Sequence, residues 1–285
     1  VSGGRPSLIA SDVDGTLLDD QNRITDATVE AITRASRAGV DLVLATGRPP
    51  RWIAEVTNQL PVPDDLLSVR PGGTLVRYAV CANGAIVYDV ENDRILDAVQ
   101  LDVPRLRKLI SVVEELLPQA GLAAERVGVS AHDAATRPFV ATAGYEHAWL
   151  NPDHELVDDA DLGEAPAVKL LARAPQMRSE DMAALLVPAV GDLAEVTFST
   201  SNGLIELSVP NTHKAAGLAR LAGLTGLPAD AVIAFGDMPN DVEMLRWATH
   251  GAAMAHGHPE AIAAADEVAP TNNDDGVATV LSRFF

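Results

Sequence analysis

The chain has 285 residues, enough for one large domain or two ordinary ones. With 47% hydrophobic and 21% charged residues it has the usage of a folded globular protein, which excludes wholesale disorder. Its 21 basic residues against 40 acidic ones leave a net charge of -19 and no basic patch, which excludes nucleic acid and anionic membranes as expected partners.

The opening VSGGRPSLIA lacks the charged start and long apolar centre of a secretion signal, and no apolar run approaches the ~20 residues of a membrane span, so a cytoplasmic location is expected. SLIASDVDGT predicts a buried strand ending in an acidic loop. ITDATVEAITRASRAG, with Ile24, Val29, Ile32 and Ala35 at roughly helical spacing, predicts a helix with Asp26 as N-cap and Gly39 as its stop. VDLVLATGRP gives a second strand, and Pro49 and Pro50 open a further helix through RWIAEVTNQL. YAVCANGA carries the only cysteine, Cys81, which has no internal disulfide partner and reads as buried packing. Asn83-Gly84 between YAVCA and AIVYD is the signal for a tight hairpin turn.

The pattern then changes. PRLRKLISVVEELLP predicts a helix and VKLLARA, EVTFST and LIELSV predict strands, around the Pro- and Asp-rich stretch NPDHELVDDADLGEAP, whose Asp158, Asp159 and Asp161 read as a solvated loop. Strand-helix alternation resumes in KAAGLARLAGLTG, AVIAFGDMPN, NDVEMLRWAT and GAAMAHGHP. The expected fold is therefore α/β, a doubly wound, mainly parallel sheet built from residues 1–85 and 208–285, interrupted by an inserted α+β domain at 86–207.

Chemistry concentrates at the predicted strand ends, where ligand sites of open α/β sheets lie. Asp12 and Asp14 alternate along a strand and so would share one side. Two carboxylates about 4 Å apart repel by roughly 4 kcal/mol at an effective dielectric of 20, which calls for a cation or a retained proton. Asp237 and Asp241 in AVIAFGDMPND add oxygen ligands at another strand end, and an all-oxygen set of this size suits Mg²⁺. Taken singly, each of these aspartates has an alternative reading as a helix cap or turn residue. Thr46, Gly47 and Arg48 in LATGRP could hold phosphate with a hydroxyl and backbone N–H groups, although Arg48 is equally readable as an ion-pair partner. Lys214 in NTHK opens a helix, an unfavourable place for a cation unless an anion lies nearby.

Four segments in fixed order, DVDGT, LATGR, NTHK and GDMPND, resemble the catalytic motifs of the haloacid dehalogenase-like superfamily of aspartate-nucleophile phosphatases, in particular its Cof-type branch. The resemblance runs from Ser7 to the late stretch DEVAPTNNDDGVATVL, and the insert matches the family's α/β cap in size and place. It implies that Asp12 attacks phosphorus and becomes an aspartyl phosphate, and that Asp14 protonates the leaving alkoxide and then activates water. It implies that Thr46 and Lys214 hold the phosphoryl oxygens, and that Mg²⁺ is bound by Asp12, the Asp14 carbonyl and Asp237 with help from Asp241. Asn240 becomes a candidate phosphate or metal-shell contact and Asn83 a candidate substrate contact beside its hairpin reading. His256 and His258 stand where the family more often shows Asn-Ala; they lack a third nitrogen or sulfur ligand for zinc and read as loop histidines. The cap is expected to set substrate choice by closing over the core.

The expected function is Mg²⁺-dependent hydrolysis of a small-metabolite phosphomonoester, with sugar phosphates, flavin mononucleotide and pyridoxal phosphate all compatible. A phosphotransferase or phosphomutase of the same fold is the nearest rival, and a phosphate-sensing binding protein a more distant one. Ion-pumping relatives lack the second aspartate of the first motif and need membrane helices. Nothing in the sequence fixes an oligomeric state, and a monomer fits.

Overall fold

The structure, a computed structural model, describes residues 4–147 and 154–285. The first three residues of the opening stretch, and Asn151, Pro152 and Asp153 of the Pro- and Asp-rich stretch, lie outside them.

Strand β1 (Leu8–Ser11) is buried along its whole length, as its apolar run requires. Helix α1 (Asp26–Arg37) follows, and its N-cap is Thr25 rather than the expected Asp26: the Thr25 hydroxyl accepts from the Thr28 N–H at 3.3 Å. Asp26 instead occupies the first turn, where a carboxylate faces the positive end of the helix. Gly39, at φ 79°, ends the helix ahead of β2 (Asp41–Ala45). The helix expected from Pro50 is divided into a tight turn at Pro50–Trp52 and the short α2 (Ala54–Thr57). Strands β3 (Val76–Cys81) and β4 (Ile86–Asp89) pair antiparallel through the Asn83-Gly84 turn, and β5 (Arg94–Ala98) lies beyond β4. Cys81 is buried, as its apolar neighbours predict.

Next come α3 (Val103–Leu116), β6 (Gly121–Glu125), β7 (Phe139–Ala141), β8 (His154–Leu156), α4 (Asp159–Leu162), β9 (Lys169–Arg173), α5 (Ser179–Val190), β10 (Glu195–Thr197) and β11 (Leu204–Ser208). The chain then runs through α6 (Lys214–Thr225), β12 (Val232–Gly236), α7 (Val242–Trp247), β13 (His250–Met254), α8 (Pro259–Ala264), β14 (Glu267–Ala269) and α9 (Gly276–Leu281).

Two compact units result, one from Val1–Asp97 with His213–Phe285, the other Ala98–Thr212. These bounds differ from the expected 85/86 and 207/208 because β4 and β5 extend the first unit's sheet beyond β3, and a turn at Val209–Thr212 follows β11. The first unit holds an eight-stranded sheet in the order β14-β13-β12-β1-β2-β3-β4-β5, parallel from β14 through β3. The chain leaves β1 toward β2 and β3 in one direction and returns to its other side with β12, β13 and β14. This is the doubly wound α/β arrangement, with its switch point at β1 and β12. Alternation along the strands sends Leu8, Ala10, Val43 and Ala45 to one face, where they pack with Leu218 and Leu221 of α6 and Met244 of α7.

The second unit is α+β. Its six strands are ordered β10-β11-β9-β6-β7-β8, antiparallel except for the β7–β8 pair. Leu122, Ala124, Leu170, Ala172, Ile205 and Leu207 pack with apolar residues of α3 and α5. No helix among the described residues is long and apolar enough to cross a membrane.

Candidate active site

The site is built where the parallel strands of the first unit end. Asp12 follows the last residue of β1 and its N–H donates to the Phe235 carbonyl of β12 at 2.9 Å, so the ladder holds its backbone. The chain then turns sharply over Val13–Leu17, with Gly15 at φ 77°. A Cβ at Gly15 would lie 2.5 Å from Asp237 Oδ2, so only glycine lets this loop fold against Asp237. The Thr16 hydroxyl donates to Asp237 Oδ1 at 2.9 Å.

Asp237 follows the last residue of β12, and a tight turn at Pro239–Asp241 returns Asp241 beside it. Asp241 Oδ2 accepts from the N–H groups of Asp237 and Met238, both at 3.0 Å, so this carboxylate fixes its own loop. Its Oδ1 accepts from Lys214 Nζ at 2.6 Å, and the same ammonium donates to Asp12 Oδ1 at 2.5 Å. Lys214 is fully buried at the first residue of α6, where two carboxylates offset the unfavourable helix end. One oxygen from each of Asp12, Asp237 and Asp241 lies within 4.8 Å of the other two.

Three buried carboxylates against one ammonium leave two negative charges uncompensated. Burial first, and then Asp241 and Asp237 against the opposing pull of Lys214, push the Asp12 carboxyl well above the usual range. Burial and Asp241 push Asp237 up to about 7, with Thr16 and Lys214 working the other way. Lys214 is raised despite its burial, because Asp12 and Asp241 hold its proton. An all-oxygen cluster that is doubly negative only when fully ionised could hold a hard divalent cation in place of its protons.

Asp14 differs from Asp12 in burial, although its charge still acts on Asp12 and Asp237. The strand ends at Ser11, and Asp14 lies exposed in the turn, where its carboxylate receives Arg48 Nε at 2.9 Å and Nη2 at 2.6 Å. Arg48 also reaches Glu55 at 3.2 Å. Burial works against the Arg48 charge, but Asp14 and Glu55 outweigh it and raise its pKa. Thr46 is buried at the end of β2; its hydroxyl accepts from the Arg48 N–H at 3.1 Å and its carbonyl from the Asn83 N–H at 2.9 Å. Gly47 lies against Asn83, whose Oδ1 would be 3.2 Å from a Cβ there. Asn83 is buried and accepts from Asn240 Nδ2 at 3.1 Å.

His256 Nε2 is 3.9 Å from Asp237 Oδ2, while His258 donates its N–H to the Asp237 carbonyl at 2.7 Å and caps α8 through Nδ1. Among the described residues the carboxylate triad is the only group of three or more potential metal ligands, so no zinc set forms around these histidines. Sequence reasoning assigned nothing to Thr16 or Glu55. Thr16 stands inside DVDGT, so the signal for it was present; for Glu55 there was none.

The family described as haloacid dehalogenase-like hydrolase matches residues 9–281. The chain belongs to that family. Among relatives, it is 28% identical over 292 residues to the 5-amino-6-(5-phospho-D-ribitylamino)uracil phosphatase YitU of Bacillus subtilis, covering 99% of this chain and 98% of the relative. It is 29% identical to the phosphatase of the same description, YbjI, of Escherichia coli, covering 97% and 95%. A segment of the chloroplastic endoribonuclease YBEY of Arabidopsis thaliana is also 29% identical over 98% of this chain, which spans only 46% of that protein's length. The solved structure of SMU.1108c from Streptococcus mutans shares this fold at a TM-score of 0.77 with 22% identity, covering 98% of both chains.

Proposed function

We propose that this protein is a cytoplasmic, Mg²⁺-dependent phosphatase that hydrolyses small-metabolite phosphomonoesters through an aspartyl phosphate on Asp12. The observation that carries the reading is the buried cluster of Asp12, Asp237 and Asp241 around Lys214, two charges in deficit at the switch point of the sheet. In this reading the first unit is the catalytic core and the second, residues 98–212, the cap that sets specificity.

Asp12, Asp237 and Asp241 would hold the ion, together with the Asp14 carbonyl. When bound, Mg²⁺ supplies positive charge that neutralises the phosphoryl group and the carboxylates around it. Asp12 attacks phosphorus in line, the bond to the leaving oxygen breaks, and Asp14 gives that oxygen a proton. Asp14 then takes a proton from water, whose oxygen attacks the aspartyl phosphate and releases inorganic phosphate, restoring Asp12. Lys214 and Thr46 neutralise and hold the phosphoryl oxygens, since phosphoryl transfer asks the protein mainly for position and charge. The bidentate ion pair with Arg48 holds the Asp14 side chain in place in the turn.

The test is release of phosphate from p-nitrophenyl phosphate and a panel of metabolite esters with Mg²⁺ and no added acceptor, and its loss with EDTA. Release without an acceptor separates hydrolysis from phosphotransfer. The panel begins with 5-amino-6-(5-phospho-D-ribitylamino)uracil, which two relatives name as their substrate. Inactivity across the panel with the metal site loaded would overturn the proposal.

A further inference from the structure

Lys214 is the first residue of α6, and its buried ammonium is only as well placed toward Asp12 and Asp241 as the first turn that carries it. The backbone of that turn is wedged against the turn between β3 and β4. A Cβ on Gly84 would lie 2.1 Å from the His213 carbonyl oxygen, and one on Gly217 would lie 2.9 Å from Gly84 Cα. The His213 carbonyl also accepts the first helical bond, from the Gly217 N–H at 3.1 Å.

Other N–H groups of a first turn need a side-chain acceptor, and the helices of this chain supply it differently. Thr25 caps α1 with a hydroxyl, and Asp102 caps α3 with a carboxylate that accepts from the Arg105 N–H at 2.8 Å. α6 is capped by His213, whose Nδ1 accepts from the Ala216 N–H at 3.2 Å. An Nδ1 that accepts carries no proton, so this ring is neutral with its hydrogen on Nε2. The bond to Ala216 is the ring's only one among the described residues, and no carboxylate there pairs with it.

The elements packed against α6 are β3, β4, the turn between them and α7. Their charged and titratable groups are engaged elsewhere: Arg77 with Glu91 and over Tyr78, Tyr88 with Asp93, Asp89 with Asn92, and Glu243 with Arg246, while Cys81 is buried. On α6 itself Arg220 pairs with Asp97, and Lys214 with Asp12 and Asp241. Protonation would therefore act on the cap without a counter-charge to absorb it. An imidazolium has two donors and no acceptor, so its Nδ1–H would face the Ala216 N–H, and a second cation would stand beside Lys214 at the positive end of the helix.

We infer that His213 is a positioning residue, whose neutral imidazole holds the first turn of α6 and Lys214 with it, so that acidification loosens Lys214 from Asp12 and Asp241. The effect on turnover rests on the phosphatase reading; the effect on the helix does not.

The experiment compares wild type, His213→Asn and His213→Ala from about pH 8 down to about pH 5, the range in which imidazoles change charge. Asparagine offers a cap oxygen throughout that range and alanine offers none. Groups shared by the three proteins cancel in the ratios of kcat/KM for p-nitrophenyl phosphate with Mg²⁺. His213→Asn should stay within about twofold of wild type at the alkaline end and exceed it about fivefold at the acid end, the worth of a helix cap. His213→Ala should fall about fivefold below wild type at the alkaline end and converge on it at the acid end. A cap that served folding alone would leave both ratios independent of pH in folded protein, which circular dichroism checks. The asparagine comparison stands if the alanine variant fails to fold. Without substrate, the Ala216 amide should lose protection from hydrogen exchange on acidification in the wild type and keep it in His213→Asn.

Superimposable pH profiles for wild type and His213→Asn, a loss in His213→Ala of equal size at both ends, or Ala216 protection that ignores pH would each overturn the inference. If the wild type turns over no ester, the phosphatase reading fails by itself. The three proteins are then compared at each pH in the calorimetric Kd for inorganic phosphate with Mg²⁺, where equal values across all three overturn the positioning role.

Discussion

Two lysines of this chain are buried against carboxylates, one in each unit, and they are not doing the same thing. Lys169 on β9 is 3% exposed and donates to Glu206 of β11, also 3% exposed, at 2.7 Å. Glu125 stands opposite Lys169 in register, and Arg173 adds a second base on the same face of β9. Lys214 meets three acids alone. Removing charge from water costs several kcal/mol per ion, and a matched pair recovers much of that by itself. The unmatched cluster cannot, and its deficit defines what it is waiting for. A buried ion pair is thus weak testimony to function, whereas a buried excess of one sign is strong.

Substitutions sharpen this contrast. The largest effect is expected from Asp12→Asn, which should lower phosphate release on the order of 10⁴-fold or more, as loss of a nucleophile does, while circular dichroism shows the fold retained. Glu206→Gln should leave kcat within a few fold.

Next, Lys214→Met and Lys169→Met should each cost about 3–5 kcal/mol in metal-free denaturant titrations, because each strands buried carboxylates. Mg²⁺ should recover part of that loss only for Lys214→Met. Replacing Lys169 and Glu206 together by Met and Leu should be nearly neutral. If Mg²⁺ rescues both lysine variants alike, the contrast between the two clusters fails.

A smaller effect is the shift on metal addition to the wild type. At 100 times its Kd, Mg²⁺ should raise unfolding stability by about 2.7 kcal/mol, EDTA should reverse this, and Asp237→Asn should abolish most of it. The smallest belongs to a partly exposed trio, Glu267 with Arg283 and His250. Burial works against the Glu267 charge, but Arg283 and His250 hold its carboxyl below the ordinary value. Its contribution is therefore present above that ordinary value and lost as pH falls through the depressed one. Glu267→Gln should remove at most about 1 kcal/mol at pH 7 and flatten the acid limb of the stability curve.

What the sequence made legible was local. Asp12, Asp237 and Asp241 stand within a few residues of apolar runs that read as buried strands, so the strand ends followed from local pattern. What stayed hidden depends on which strand lies beside which. Thr16 and Asp237 are 221 positions apart, and Asn83 and Asn240 are 157 apart. No periodicity encodes such meetings. The same holds for the meeting of Asp14 and Arg48, 34 positions apart. The first unit's reach to Asp97 was missed because β4 and β5 extend a parallel sheet antiparallel at its edge, where the strand-helix rhythm falls silent.

The central strand β1 lies between β2 and β12, and β12 begins only at residue 232. During synthesis, β1 therefore gains this neighbour only after the whole second unit has been made. Until Asp241 leaves the exit tunnel there is no pocket to fill, so the nascent protein acquires its chemistry last and nearly all at once.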